Sequence, residues 1–242
     1  MLRTFLILLT LLFTSTLNAH AQVLSYNMDE VWRAYDSFNE EFLDTEKGIY
    51  KVDTSFDRAT DRWNGAAAIW CQPMFWDMAI NAHQLALKTK DKPRAKQYKE
   101  LVEKIYQGEK SHYTGFDFDD NNENTGWFIY DDIMWWTIAL SRAYLIYGDN
   151  EYLMQAEKSF QRVWDGSLRV GDTGSYDNEQ GGMFWRWYPI QNPKPNRPSD
   201  GKMACINFPT VVAAMLLHKA VPSKRKSSYP TSEEYLRRAK EI

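Results

Sequence analysis

A repeated pair of helical segments constrains the fold of this chain more than any other feature. The apolar residues of one segment recur sixty positions later, so that Met74, Trp76, Ala79 and Leu85 correspond to Met134, Trp136, Ala139 and Leu145. The segments that follow them match with an offset of 58, between 95–106 and 153–164. A third copy begins where Glu151-Tyr152-Leu153 returns as Glu234-Tyr235-Leu236. A fixed repeat of this size is typical of stacked helical units that bury a common core.

Helical periodicity extends over most of the chain after residue 25. The expected helices cover 27–43, 73–89, 93–107, 131–147, 150–164, 207–220 and 232–242. Buried strands are not expected, although the long loops have room for short ones. Because the first helix of each pair is apolar and the second more charged, the pattern predicts an all-α, (α/α) toroid of inner and outer helical hairpins. An open helical-repeat solenoid is the structural alternative.

The length of the chain limits how much of a ring it encodes. A six-hairpin ring at this period needs roughly 350 residues. The chain has 242 residues and ends at Ile242, within the third matching outer helix. We therefore expect residues 22–242 to form the N-terminal portion of a toroid domain that is truncated at the C-terminus and incomplete.

The first residues have the pattern of an export signal. Arg3 precedes an apolar run at 5–13 that is too short to span a bilayer, and Ala19-His20-Ala21 supplies the small residues of a cleavage site. We predict a signal peptide over 1–21, cleaved after Ala21, and an exported protein that is periplasmic or secreted. The remainder has no apolar stretch of transmembrane length, so no membrane span is expected.

The charge and the aromatic content bear on the class of partner. The net charge is −3, which gives no reason to expect a nucleic acid partner. The chain contains 10 Trp, 14 Tyr and 12 Phe. Such residues fill large cores, and they also present the flat apolar faces against which sugars bind, so both interpretations stay open.

The sequence gives no support for a metal or a cofactor. The stretch 117–128 is similar to a calcium-binding loop, but it has Asn122 at position six and Phe128 at position twelve, where glycine and glutamate are needed. Zinc motifs are also missing. The two cysteines, Cys71 and Cys205, are compatible with a disulfide in an oxidising compartment or with two separate buried thiols.

The strongest candidate for chemistry is the adjacent pair Asp131 and Asp132. It begins an apolar helix and has five aromatic residues around it, at 127, 128, 130, 135 and 136. Close carboxylates in a poorly solvated site cannot both ionise easily, so their pKa values should separate into one anion and one proton donor. Glycoside hydrolysis needs that division, and diverging side chains could reach the roughly 5–5.5 Å separation of a retaining pair. The plainer interpretation is a helix cap with an acidic neighbour.

Further candidates lie at the starts of the other repeated segments and in one loop. Gly181-Gly182 is followed by aromatic residues up to Tyr188, a pattern that fits either a sugar subsite or a loop packed by aromatic anchors. Asn207 is either a helix cap or part of the site. The expected substrate-binding residues are Gln72, Trp76, Asp77, Trp127, Trp135, Gly181, Gly182, Trp185 and Asn207.

The segment Tyr130-Asp131-Asp132-Ile133-Met134-Trp135-Trp136 resembles glycoside hydrolase family 76. Arg142-Ala143-Tyr144, Gly148-Asp149, Tyr152-Leu153, Gly181-Gly182-x-x-Trp185 and the 202–207 segment follow it in the order of that family. The family comprises bacterial endo-α-1,6-mannanases and related fungal cell-wall enzymes, and the resemblance covers the chain from about Trp32 onward.

The resemblance implies an (α/α) toroid that hydrolyses α-1,6-mannosidic bonds in α-mannan or manno-oligosaccharides with retention and without a metal. It implies that Asp131 is the nucleophile and Asp132 the general acid/base, with Gly181, Gly182 and Trp185 shaping the cleft. The alternatives are a non-catalytic helical-repeat glycan-binding protein and an inactive truncated hydrolase. Another toroid enzyme, such as a sugar epimerase, is disfavoured because those usually rely on separated acids or histidines.

Overall fold

The computed structural model describes residues 27–120, 122, 126–186, 201–224 and 226–242. The expected signal peptide over 1–21, and Trp187 and Tyr188 of the aromatic loop, lie outside these residues. Contacts divide the chain into two units, one up to Glu41 and one from Phe42 onward, and each is described by itself. In the part of the chain that is described, no helix is long and apolar enough to cross a membrane.

The helix of the first unit, α1 (Met28–Phe42), begins with a reciprocal capping arrangement. The amide of Glu30 donates to the side chain of Asn27 at 2.9 Å, and the amide of Asn27 donates to the carboxylate of Glu30 at 2.8 Å. Two amides at the start of the helix are thereby satisfied, which explains why the helix begins close to the predicted position.

The second unit contains a short hairpin and three pairs of helices in its described residues. Strand β1 (Leu43–Asp44) pairs antiparallel with β2 (Ile49–Tyr50), with Leu43 opposite Tyr50. The helices are α2 (Gln72–Lys88), α3 (Lys92–His112), α4 (Tyr130–Tyr147), α5 (Asn150–Asp165), α6 (Ala204–Ala220) and α7 (Ser232–Glu241).

The helices pack as consecutive hairpins, as the repeat predicts. Helix α2 packs on α3, α4 on α5 and α6 on α7, while α4 also packs against both α2 and α6. The first helices of the pairs therefore form an inner row, and the second helices lie outside them. Helix α4, at the centre of that row, buries ten residues along its length, including Trp136 and Leu140. The all-α hairpin architecture is confirmed.

The two kinds of helix begin differently. The outer helices α3, α5 and α7 are capped by the side chains of Asp91, Asp149 and Thr231. The inner helices have no side-chain cap hydrogen bond; Ile129 occupies the cap position of α4. Asp131 and Asp132 therefore lie in the first turn of α4 and not at its cap. The helix dipole favours negative charge in this first turn.

Two helix boundaries differ from the sequence prediction. Helix α3 continues past Gly108 to His112, although a glycine near position 107 indicates an end. The glycine is explained by a tertiary contact and does not mark the end of the helix. A Cβ at Gly108 would lie 2.2 Å from the carbonyl oxygen of Lys47 in the β1–β2 turn. The glycine lets the helix pass close to the hairpin. Helix α6 begins at Ala204, so Asn207 lies within its first turn and is not its cap.

Candidate active site

A cavity of about 610 Å³ lies where the inner helices α4 and α6 begin. Asp131, Asp132 and Trp135 line it from α4, Cys205 lines it from the first turn of α6, and Trp185 lines it from the loop that precedes α6. The expected carboxylate pair and two of the expected tryptophans are thus brought together. A cavity of this size is within the range of small-molecule sites.

Asp131 is a nearly buried carboxylate that receives a hydrogen bond from one side chain and has a thiol beside it. The indole Nε1 of Trp185 donates to Oδ1 of Asp131 at 3.1 Å. The thiol of Cys205 lines the cavity beside this carboxylate. Burial raises the pKa of Asp131 above its ordinary value, and the thiol of Cys205 and the indole N–H of Trp185 oppose that increase by stabilising the anion.

The pKa of Asp132 is raised further than that of Asp131, although the residue as a whole is only partly buried. Burial raises the pKa of Asp132 well above its ordinary range, the negative charge of Asp131 raises it further, and the charge of Arg62 opposes both. Removing one proton from the pair makes removal of the second harder, because the carboxylates repel each other in a poorly solvated site. The arrangement favours one anion and one neutral acid near neutral pH.

The cavity has further aromatic walls that come from the segment before α2 and from the end of α3. Trp63 is 68% exposed and Trp70 is 44% exposed, and both line the cavity. The guanidinium of Arg62 lies 4.9 Å from the centroid of the Trp63 ring. His112 and Tyr113, at the end of α3, complete this side. The result is a cavity with one polar centre and several flat apolar surfaces.

The loop that carries Trp185 is fastened to the start of α4. The amide of Tyr130 donates to the carbonyl oxygen of Trp185 at 3.0 Å, and Ile129 pairs with Arg186 in an antiparallel bridge. Trp185 therefore contacts α4 twice, once through its backbone next to Asp131 and once through its indole. These contacts fix the direction from which the indole approaches the carboxylate.

Gly181 and Gly182 form the turn that leads to Trp185 but do not line the cavity. Both have positive φ values, 70° and 79°, which favour glycine. The side chain of Asn207 accepts from the amide of Met183 at 2.8 Å and donates to its carbonyl oxygen at 3.1 Å. Lys202 donates to the carbonyl oxygen of Gly181 at 2.5 Å. Gly181, Gly182 and Asn207 therefore anchor the loop in this structure, and their contact with substrate stays a prediction.

Four other residues expected at the cleft lie elsewhere, and the expectation is corrected for each. Gln72 is buried, where its side chain exchanges hydrogen bonds of 3.0 and 2.9 Å with the backbone of Tyr50. Trp76 is also buried and donates its indole N–H to the carbonyl oxygen of Val102 at 3.0 Å. Both side chains point into the packing between α2 and its neighbours.

Asp77 and Trp127 are likewise separate from the cavity lining. Asp77 forms an ion pair with Arg142, which links α2 to α4. Trp127 is buried, with its ring centroid 5.3 Å from that of Tyr113 and 4.8 Å from that of Phe118. The sequence identified the correct ends of the helices, but the rotation of each helix about its axis decides which side chains reach the cavity.

Several cavity residues were missed by sequence reasoning. Trp63, Trp70 and Arg62 lie in the irregular segment between β2 and α2, which has no periodicity to indicate direction. The sequence did contain a signal for Cys71. The sixty-residue repeat aligns Cys71 with Asp131, which indicates that it lies near the same end of the inner helices. Cys71 and Cys205 are both unbridged, the first half-buried and the second exposed. No group of three His, Cys, Asp or Glu suited to a metal is found among the described residues.

Comparison with known proteins gives a consistent pattern. The model of glycosyl hydrolase family 76 matches residues 21–241. Among solved structures, the chain is similar to a family 76 mannosidase from Bacteroides thetaiotaomicron, with a TM-score of 0.63 and 19% identity over 87% of this chain and 50% of that chain. A comparison with curated protein sequences finds no significant match.

Two structures of an α-1,6-mannanase from a Salegentibacter species are also similar. The enzyme itself has a TM-score of 0.53 and 21% identity, over 85% of this chain and 46% of that chain. An inactive variant, in which two adjacent aspartates are replaced by asparagine, was solved with α-1,6-mannotriose; it has a TM-score of 0.51 and 20% identity, over 86% of this chain and 47% of that chain. The chain thus spans about half the length of the structures it matches.

Proposed function

We propose that this chain, which belongs to glycosyl hydrolase family 76, hydrolyses α-1,6-mannosidic bonds in α-mannan or manno-oligosaccharides. The observation that carries the proposal is the adjacent carboxylates Asp131 and Asp132 in a cavity lined by tryptophans. The similar Salegentibacter enzyme is an α-1,6-mannanase, and its variant lacking two adjacent aspartates is inactive. Export by a signal peptide over residues 1–21 is part of the same proposal, because polymeric mannan occurs outside the cytoplasm.

The proposed reaction is a double displacement with retention. In the first step the carboxylate of Asp131 attacks the anomeric carbon, while Asp132 gives its proton to the glycosidic oxygen as the C–O bond breaks. This forms a mannosyl ester on Asp131 and leaves Asp132 ionised. In the second step Asp132 takes a proton from water, the water oxygen attacks the same carbon, and the ester bond to Asp131 breaks.

The environment of the two carboxylates supports this division of roles. A nucleophile has to be ionised, and Asp131 accepts the hydrogen bonds that favour its anion. A general acid has to hold a proton at working pH, and burial together with the nearby negative charge raises the pKa of Asp132 well above its ordinary range.

The aromatic walls support a carbohydrate as the ligand. Trp63, Trp70 and Trp135 line the same cavity as the carboxylates. Pyranose rings have apolar C–H faces, which bind to flat aromatic surfaces, while their hydroxyls require polar partners such as Arg62 and His112. We expect the exposed tryptophans at 63 and 70 to bind sugar units through their ring faces.

The proposal is tested by incubating the purified chain with linear α-1,6-mannan and separating the products by size. We expect short manno-oligosaccharides from the native chain, and a loss of at least about a thousandfold in kcat for Asp131→Asn and for Asp132→Asn. Asp165→Asn is the matched control, since Asp165 is an exposed residue at the end of an outer helix. Its rate should equal that of the native chain.

Two outcomes would contradict hydrolysis. One is a folded native chain that releases no oligosaccharide from mannan, and the other is undiminished release by both asparagine variants. Binding of α-1,6-mannotriose that survives both substitutions, without cleavage, would instead indicate a non-catalytic glycan-binding protein.

A further inference from the structure

We propose that Trp185 and Cys205 are positioning residues that make Asp131, and not Asp132, the ionised member of the carboxylate pair. This inference rests on the proposed function and deepens it, because it assigns the choice of nucleophile to two side chains outside the pair. Both residues belong to segments far from α4 in sequence and reach the same carboxylate in the fold.

Trp185 holds Asp131 from two directions. Its indole N–H donates to Oδ1 of Asp131 at 3.1 Å, and its carbonyl oxygen accepts the amide of Tyr130 at 3.0 Å. Because Tyr130 directly precedes Asp131, the loop is fixed to the backbone next to the carboxylate that its indole contacts. The indole therefore arrives at Asp131 in a defined geometry, which a loop without the backbone contact would not provide.

Cys205 adds a second donor, which comes from α6. It lies in the first turn of α6 and lines the cavity beside the carboxylate pair. Desolvation of the sulfur, together with the neighbouring carboxylate of Asp131, raises the pKa of the Cys205 thiol to about 11, so the sulfur keeps its proton at neutral pH. A protonated thiol donates a hydrogen bond to the anion of Asp131 and does not compete with it as a nucleophile.

Asp132 lacks comparable support. Among the described residues, no hydrogen bond from another side chain to Asp132 is found, whereas Asp131 accepts one from the indole of Trp185 and has the Cys205 thiol beside it. The ionisable groups that face the pair are Arg62 from the segment before α2, Cys71 at the start of α2, His112 and Tyr113 from the end of α3, and Cys205 from α6. Arg62 favours ionisation of Asp132, but burial of that carboxyl outweighs it.

The consequence is a fixed order of ionisation. Hydrogen bonds to a charged carboxylate stabilise the anion over the acid, and in the part of the chain that the structure describes the donor side chains lie at Asp131. Once Asp131 is ionised, its charge helps to keep the proton on Asp132. Without the two donors, the difference between the carboxyls would be reduced, and a larger share of the molecules would hold the proton on the intended nucleophile.

The order of ionisation can be measured directly, without substrate, by carbon-13 NMR of the aspartate carboxyls over a pH titration. Asp131→Asn and Asp132→Asn assign the two signals. In the native chain we expect Asp131 to ionise first as the pH rises. Trp185→Phe removes the N–H and keeps an aromatic ring, and Cys205→Ala removes the thiol; each should move the Asp131 transition to higher pH, and the double variant should move it furthest.

Trp135→Phe is the matched control, because Trp135 is another tryptophan of the same cavity and its indole contacts neither carboxylate among the described hydrogen bonds. It should leave the order of ionisation unchanged. An Asp131 transition that stays in place in both Trp185→Phe and Cys205→Ala would overturn the inference, as would Asp132 ionising first in the native chain. Circular dichroism of each variant identifies any that fail to fold, and the two substitutions lie in different segments, so one unfolded variant leaves the other informative.

Kinetics provide the second measurement. We expect Trp185→Phe to lower kcat about tenfold at neutral pH and to shift the acid limb of kcat/KM to higher pH, since less Asp131 is ionised at a given acidic pH. A purely structural role would lower activity at all pH values equally. The two proposals fail separately: an inactive native chain with the expected titration contradicts mannan hydrolysis alone, whereas an active chain with an unmoved titration contradicts the role of the donors.

Discussion

The hydroxyl of Tyr130 donates to Oδ1 of Asp172 at 2.5 Å, deep in the protein. The other oxygen of Asp172 forms an ion pair with Arg162 of α5, and the amide of Gly174 donates to Oδ1 at 2.9 Å. The residue before the candidate nucleophile is therefore held by a buried carboxylate on the loop that carries Trp185. This arrangement joins α4, α5 and the loop at one point.

Removal of the Asp172 carboxylate should destabilise the fold strongly. Asp172→Ala would leave the buried guanidinium of Arg162 with Asp119, at 3.2 Å, as its remaining acidic partner, and breaking a buried ion pair costs up to about 3–5 kcal/mol. The free energy of unfolding is obtained from urea titrations followed by tryptophan fluorescence. Asp117→Ala, which breaks the exposed pair with Arg169, should cost less than about 1 kcal/mol. Equal losses in the two variants would contradict the structural role of Asp172.

Glu109 should make the stability fall as the pH rises. Its side chain is fully buried, and neither carboxylate oxygen has a hydrogen-bond partner in the described part of the chain. Burial raises the pKa of Glu109 well above its ordinary value in the folded state. The folded protein therefore keeps a proton that the unfolded chain releases above about pH 4.5, and stability declines with pH beyond that point.

Glu109→Gln removes this ionisation and keeps the shape of the side chain. We expect the variant and the native chain to have similar unfolding free energies at pH 4, and the variant to become the more stable of the two as the pH approaches 8. Urea titrations at several pH values measure the difference. Glu103→Gln, on the exposed face of the same helix, supplies the control, and a pH-independent difference for Glu109→Gln would refute the prediction.

Gly182 should tolerate no side chain. Its φ of 79° is unfavourable for other residues, and a Cβ there would lie 3.2 Å from both Oδ1 of Asn207 and Cδ of Lys202. Gly182→Ala should lower the free energy of unfolding by about 1–3 kcal/mol and reduce activity, because Asn207 anchors the loop that leads to Trp185. At Gly201 a Cβ meets nothing within 4 Å, so Gly201→Ala should have little effect. Matching losses at the two glycines would argue against this account.

The fold was more predictable from the sequence than the details of the site. The spacing of apolar residues located the inner and outer helices. Residues such as Met134, Trp136 and Ala139 can be buried together if the segment is a helix. The carboxylate pair was found for a similar reason, since two acids in an aromatic segment are unusual. Trp76 was placed at the cleft because the end of a helix can be read from sequence, but its rotation cannot. Trp63 was missed because an irregular segment gives no periodic signal.

The exposed indole of Trp63 should contribute to substrate affinity and not to the chemical step. Its ring is 68% exposed on the cavity wall, whereas the carboxylates lie at the start of α4. Loss of one aromatic contact costs about 1–1.5 kcal/mol, which is roughly tenfold in affinity. An interaction made equally in the ground state and the transition state affects KM and leaves kcat unchanged. Trp63→Ala should therefore raise KM for manno-oligosaccharides about tenfold at constant kcat.

The matched control for this prediction is Leu168→Ala, since Leu168 is a fully exposed apolar residue that does not line the cavity. Initial rates over a range of mannotetraose concentrations give kcat and KM for each variant. A short substrate that does not reach Trp63 should show no difference between Trp63→Ala and the native chain. If kcat falls in Trp63→Ala while KM is unchanged, or if a disaccharide is affected as much as a tetrasaccharide, Trp63 does not act as a remote binding surface.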